Sequence, residues 1–276
     1  MRFTKMHGCG NDYIYFNCME GVPAGLPALS IRLSDRHFGI GGDGIVLICK
    51  SETADAKMRM FNADGSEGKM CGNAIRCVGK YLYDNGICRK ESLDIDTLSG
   101  IKHITLEIEN GVAVGASVNM GKPELQPEKI PVLCDGNSVI DCETAIANDR
   151  YNITCVSMGN PHCVVFCEEV KNIDLEKIGP KFENASIFPE RVNTEFVRII
   201  DENTIEMRVW ERGSGETLAC GTGACASVVA ACLCGYCKKG TPVKVILRGG
   251  ELTVTYTDGG VIMQGPATKV FDGEVD

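Results

Sequence analysis

The chain repeats itself. "GNDYIYF" begins at Gly10 and "GNPHCVVF" at Gly159, 149 residues later. At the same spacing, without a gap, "MRMFNADGSEGKMCGN" (58–73) lies against "MRVWERGSGETLACGT" (207–222), which sets Cys71 on Cys220. The register carries Glu67 onto Glu216, Gly72 onto Gly221, Gly86 onto Gly235, Gly100 onto Gly249 and Gly111 onto Gly260. Most intervening positions differ, yet a register that lands on glycines and cysteines reads as two homologous halves. A length of 276 residues suits two domains of roughly 100–200 residues each. The expected halves are 1–120, to which 265–276 returns, and 121–264.

Local patterns give the halves shape. The β-like runs "KMRMF" (57–61) and "IEMRVW" (205–210) precede the two cysteines. After each cysteine a helix is expected, Asn73 to Asn85 and Thr222 to Cys234, stopped by Gly86 and Gly235. Hairpins follow in "IKHITLEIENGVAVGASV", with Asn110-Gly111 at its turn, and in "VKVILRGGELTVTYTDGGVIM", with two glycine turns. Each half therefore reads as a strand-rich sheet around one helix. The second helix is Ala, Val and Cys with almost no polar face, so its own sheet should enclose it.

Several function classes fall away. A net charge of −9 speaks against nucleic acid, which demands a basic face, and favours a small polar substrate. Leu218 to Cys237 carries no charge, which superficially suggests a membrane span. Its counterpart in the first half holds Arg76, Lys80 and Asp84, and the run itself holds Gly221, Gly223 and Gly235, so no span is expected. The start, "MRFTKMHGCGNDY", lacks the apolar core of a signal peptide. The sixteen cysteines are then expected to be reduced thiols of a cytoplasmic protein, and the sequons at Asn152 and Asn184 to be chance matches.

Cys232, Cys234 and Cys237 have C-x-C-x-x-C spacing, but structural zinc needs four ligands and no second knuckle of such spacing accompanies them. Cys225 and Cys232 share a helix face, where cysteine packs as a small apolar residue. Cys234 and Cys237 stand at a helix end, away from the N-terminus that activates redox thiols. No metal site is expected. "GIGGDG" (39–44) satisfies G-x-G-x-x-G literally but leads into the strand pattern "IVLICK", not a helix.

Cys71 and Cys220 differ in position from the other cysteines. Each precedes a helix, where unpaired N–H groups and the positive dipole end are expected to lower a thiol's pKa. The plainer alternative, a cysteine buried at a strand end, stays open. Gly72 and Gly221 would let a carboxylate approach the backbone N–H groups. Two such half-sites facing each other would put a thiol on each side of a ligand. Inverting a carbon needs that: one group removes a proton from one face and another delivers a proton to the opposite face. No phosphate-binding loop or cofactor-lysine context is evident, so no cofactor is expected.

At this point the residues resemble the diaminopimelate epimerase family over essentially the whole chain. The motifs are "HGCGND" (7–12), "FNADGSEGKMCGNAIRC" (61–77), "GNPHCV" (159–164), "RVNTEF" (191–196) and "ERGSGETLACGTGA" (211–224). The resemblance implies an α/β (α+β) fold of two pseudo-symmetric domains, each a strongly curved, mostly antiparallel sheet around a central helix. It also implies an active site in the cleft between them and a homodimer. The implied activity is interconversion of L,L- and meso-diaminopimelate in lysine and cell-wall precursor synthesis, with Cys71 and Cys220 as bases. Asn11, Asn62, Asn160, Asn193, Glu211 and Arg212 match substrate-binding positions. Gly72 with Asn73, and Gly221 with Thr222, match the cradle for the reacting carboxylate. His162 and Glu211 match positions that tune the thiols. Gly44 departs from the pattern, standing where many members have a glutamine that touches substrate.

The repeat is asymmetric at one telling place. Asn62-Ala63 corresponds to Glu211-Arg212, so only the second half has an adjacent pair of opposite charges. That pair is either an ordinary ion pair or a receptor for a second ammonium-and-carboxylate end of the substrate, which proline lacks. The alternatives are a proline racemase-like enzyme and, from another class, a cysteine-rich redox or metal-binding protein. His7, His37 and His103 have no matched partner.

Overall fold

The computed structural model describes residues 1–276. The chain divides into two compact units, residues 1–119 with 264–276, and residues 120–263.

In the first unit Arg2–Gly8 pairs antiparallel with both Thr268–Glu274 and Asn11–Cys18. Asn11–Cys18 runs parallel to Gly44–Cys49, which lies antiparallel to Ala56–Asn62. Ala56–Asn62 runs parallel to Ser92–Asp96, and Ser92–Asp96 antiparallel to Lys102–Glu109. The second unit repeats this order. Asp149–Ser157 is antiparallel to Cys142–Ile146 and Pro161–Phe166, and Pro161–Phe166 is parallel to Asn193–Asp201. Thr204–Glu211 is antiparallel to Asn193–Asp201 and parallel to Pro242–Leu247, which pairs antiparallel with Gly250–Thr257.

The helices keep the repeat to the residue. The first unit has α1 (Leu26–Ser34) and α2 (Gly72–Asp84), and the second has α3 (Leu175–Glu183) and α4 (Gly221–Leu233). Each helix of the second unit starts and ends 149 residues after its counterpart. The single helix expected per half is therefore two. The extra pair escaped notice because α1 and α3 share only Leu26/Leu175, and α3 carries an internal Pro180. A signal was nonetheless present: Asp174 caps α3 by accepting from the Lys177 N–H, and Leu175, Gly179 and Phe182 bury one face. That face packs tightly. A Cβ on Gly179 would come within 2.2 Å of the Trp210 ring, whose Nε1 donates to Glu183 Oε2 at 2.7 Å.

Gly44–Cys49 is buried along its whole length, as a strand paired on both sides and covered on both faces should be. It opens at Gly44, so "GIGGDG" leads into a strand. Helix α2 lies close on Lys102–Glu109 because Gly79 has no side chain: a Cβ there would be 2.5 Å from Ile104 Cδ1. Arg76 and Lys80 of α2 are buried rather than turned to solvent. Arg76 is fully buried and donates to Gly72 O at 3.1 Å, Asn73 Oδ1 at 2.9 Å and Pro266 O at 3.2 Å. Lys80 donates to Asp84 and to Ala113 O. Helix α4 is apolar all round and packs on strands of its own unit, with Val228, Val229, Ala230 and Ala231 fully buried. Each buried valine contributes about 1.5–3 kcal/mol. No helix is long and apolar enough to cross a membrane.

Candidate active site

Both predicted thiols stand at the N-cap of a helix, in extended backbone: Cys71 before α2 (φ −132°) and Cys220 before α4 (φ −118°). A strand delivers the chain to each helix start, and Gly72 or Gly221 begins the helix without a side chain over its free N–H groups.

In the first unit the Cys71 thiol, half-buried, donates to Asn11 Oδ1 at 3.3 Å. Asn73 Nδ2 donates to the same oxygen at 3.3 Å, and Asn73 Oδ1 accepts from Arg76. Asn11 is itself fixed by donating to Asp43 Oδ2 at 2.7 Å, which also accepts from the Asp12 N–H. Burial, then the neighbouring Asp12, raises the Asp43 carboxyl above its ordinary range. Asn62 stands outside this group; its amide donates to Ser66 at 3.0 Å.

In the second unit Cys220 Sγ accepts from the Gly223 N–H at 3.4 Å and lies 3.4 Å from the Thr222 hydroxyl. The Glu211 carboxylate lies near enough to act on this thiol and accepts from Thr217. Asn160 Nδ2 donates to Thr222 Oγ1 at 3.3 Å, and Asn160 Oδ1 is 3.1 Å from His162 Nε2. His162 is fully buried, with Nδ1 2.7 Å from Glu195 Oε1. Cys220, Gly221, Thr222, Asn160, His162 and Glu211 thus form one connected group.

Asn193 and Arg212 are spent differently. Buried Asn193 donates to Pro161 O at 2.7 Å and accepts from the Arg212 N–H at 2.9 Å, so its amide ties two strand ends together. The Arg212 guanidinium donates to Glu190 O at 2.8 Å. The adjacent charges of Glu211 and Arg212 diverge, Glu211 toward Cys220 and Arg212 toward Glu190.

The expected lowering of the thiol pKa by the helix N-terminus is overturned at Cys220. Burial pushes this thiol well up, and the carboxylates of Glu211 and Glu195 push the same way. The Thr222 hydroxyl and the Gly223 N–H act in the opposite direction but are outweighed. Burial also raises the Glu211 carboxyl. Glu195 was not singled out from sequence, because within "RVNTEF" it reads as the polar member of an alternating strand. Asp43, Arg76 and Thr217 were missed for the same reason: each acts through tertiary neighbours. Cys232, Cys234 and Cys237 belong to no group of three or more His, Cys, Asp or Glu side chains able to hold a metal.

Comparison with known proteins bears on the family and the fold. The diaminopimelate epimerase family model matches residues 3–126 and 154–270. A diaminopimelate epimerase of Methanococcus maripaludis is 54% identical over 278 residues, covering 100% of both chains. That of Acetivibrio thermocellus is 53% identical, covering 100% of this chain and 99% of its own. Among solved structures, a Bacillus anthracis phenazine biosynthesis protein of the PhzF family has TM-score 0.69 at 17% identity, covering 100% of this chain and 98% of its own. A probable proline racemase from Agrobacterium radiobacter has TM-score 0.68 at 15% identity, covering 100% and 92%. These two share the fold. The family model over most of the chain and the full-length relatives at 53–54% identity make the chain a member of the diaminopimelate epimerase family.

Proposed function

We propose that the protein interconverts L,L- and meso-2,6-diaminopimelate without a cofactor, as an isomerase of lysine and peptidoglycan precursor synthesis, with Cys71 and Cys220 as its two acid/base groups. The observation that carries this reading is the recurrence, 149 residues apart, of a cysteine at a helix N-cap within the same order of strands. In each direction one thiolate takes the α-proton, and the C–H electron pair moves into the adjacent carboxylate. The other thiol then gives its proton to the opposite face, and the electron pair returns to carbon. The N–H groups of Gly72, Asn73, Gly221 and Thr222, free of intrahelical acceptors, suit the carboxylate on which charge develops.

The remaining roles belong to the same proposal. Asn11, Asn62, Asn160 and Asn193 present amides to the substrate, and Arg212 receives the carboxylate of its unreacting end. Glu211, turned to Cys220, and His162, joined to it through Asn160 and Thr222, tune that thiol. Glu211 also receives the distal ammonium. Residues 1–120 with 265–276, and 121–264, act as the two catalytic halves, in a cytoplasmic homodimer. Incubation with L,L-diaminopimelate, followed by separation of isomers, should yield the meso form in a mixture also reached from the meso side. No meso product from folded protein overturns the proposal, as does conversion of proline in its place.

A further inference from the structure

The charges break the repeat. Glu195, His162 and Glu211 stand around Cys220, while the positions 149 residues earlier hold Val46, Tyr13 and Asn62: a valine, a tyrosine and an asparagine in place of two carboxylates and an imidazole. In the opposite sense, the buried Arg76 of the first half corresponds to Cys225 in the second. The two half-sites share a backbone plan and differ in electrostatics.

Glu195 is the least expected of these groups. It lies in the strand Asn193–Asp201, fully buried, with Oε1 2.7 Å from His162 Nδ1. A Cβ on Gly223 would sit 2.5 Å from Glu195 Oε1 and 3.2 Å from Cys220 Cβ, so the carboxylate and the cysteine flank one methyl-sized gap under the first turn of α4. Glycine at 223 keeps that gap open. Glu195 Oε2 is buried with no hydrogen-bond partner. An ordinary structural carboxylate has its lone pairs satisfied, because leaving one bare in a low-dielectric interior is costly.

We propose that Glu195 is a positioning residue whose buried carboxylate holds Cys220 in its protonated form before substrate arrives. This assignment rests on the two-base reading above. The groups that face Cys220 are Glu211 from Thr204–Glu211, Glu195 from Asn193–Asp201, His162 from Pro161–Phe166 through Asn160, and Thr222 with the Gly223 N–H from α4. Burial raises the Cys220 pKa most, then Glu211, then Glu195. The Glu211 carboxylate is engaged by Thr217, whereas one Glu195 oxygen is engaged by nothing. No carboxylate occupies the equivalent place beneath Cys71, where the residue is Val46, 0% exposed.

The test is site-resolved alkylation of the full chain with iodoacetamide across pH 6–10, read by peptide mapping at Cys71 and Cys220. In the unmodified protein Cys220 should label with a midpoint above that of a free thiol, about pH 8.5. Glu195→Gln keeps the size of the side chain and an acceptor for His162 but removes the charge. It should move the midpoint of Cys220 labelling down by about one pH unit, roughly a tenfold faster reaction near pH 8, and leave Cys71 unchanged. Glu195→Asp should keep the original midpoint. An unmoved Cys220 midpoint in folded Glu195→Gln overturns the proposal, and so does an unmodified protein whose Cys220 labels with a midpoint at or below that of a free thiol, about pH 8.5; the second result needs no variant to fold. Neither readout depends on turnover. A Cys220→Ala protein that still epimerises would sink the two-base reading, while an unmoved midpoint sinks only the role of Glu195.

Discussion

Cys71 Sγ donates to Asn11 Oδ1 at 3.3 Å, and that oxygen also receives Asn73 Nδ2. One amide therefore aligns the thiol with the first turn of α2, while Asp43 clamps the amide's other end. Removing the thiol and removing its guide should differ in degree. Cys71→Ala and Cys220→Ala should each cost at least about 10²–10⁴-fold in epimerisation, the range for loss of a general acid/base. Asn11→Ala should cost roughly tenfold, as expected for one hydrogen bond at a reacting group. Isomer separation alongside circular dichroism checks all three, and an alanine variant of either cysteine that keeps most of its activity would end the assignment.

Gly44 stands where the resemblance implies a glutamine in many family members, and its surroundings say what that difference entails. Its φ is +156°, and a Cβ would lie 2.0 Å from Phe61 O and 2.9 Å from the Tyr13 ring. Installing the familiar glutamine should therefore strain the strand rather than add a substrate contact. Gly44→Gln is expected to destabilise the protein by about 3 kcal/mol or more, from backbone strain plus overpacking. Urea denaturation is the measurement, and a variant as stable as the parent would mean that the backbone adapts at no cost.

Alkaline pH should weaken the fold through its buried thiols. Cys77 is fully buried, and desolvation raises its pKa from 9.0 to about 11. Below about pH 9 this thiol is protonated in folded and unfolded chains alike and contributes no pH dependence. Between pH 9 and 11 the unfolded chain releases a proton that the folded chain retains, so stability falls as pH rises. One such group contributes a slope of up to about 1.4 kcal/mol per pH unit. Denaturant midpoints at pH 8, 9 and 10 should decline, and Cys77→Ala should flatten the slope whatever it does to stability at pH 8. An unchanged slope in that variant would exclude Cys77 as a source.

What the sequence disclosed follows from which interactions are local. Helices α2 and α4 were readable because a glycine stop and a preceding strand lie within a few residues of each cysteine. The α1 and α3 pair was not, since Pro180 masks a helix that Asp174 and Trp210 hold in place. The state of the Cys220 thiol was misread for a related reason. Its helix N-terminus is a neighbour in sequence, whereas Glu211, Glu195 and the burial that outweigh it come from distant strands. Glu211 and Arg212 look like a pair in sequence, but the strand ends at Glu211 and Arg212 opens the turn that follows, so Glu211 goes to Thr217 and Arg212 to Glu190.

Isotope uptake from solvent tests the two-base mechanism most directly. A single base serving both faces could return the abstracted proton to either side, so recovered starting isomer would exchange with solvent as fast as product forms. With Cys71 and Cys220 serving opposite faces, the removed proton stays on one thiol, and the other delivers a proton already equilibrated with solvent. In deuterium oxide at low conversion, new meso-diaminopimelate should carry deuterium at the inverted carbon while unreacted L,L-isomer stays almost unlabelled. Starting from the meso side should mirror this. The carboxylates around Cys220 bear on the protonation of that thiol at rest but not on this pattern, because each turnover exchanges the two roles. Early deuterium in the recovered starting isomer, in proportion to product, would mean that one residue or a shared proton pool does both jobs, and the paired roles of Cys71 and Cys220 would have to be given up.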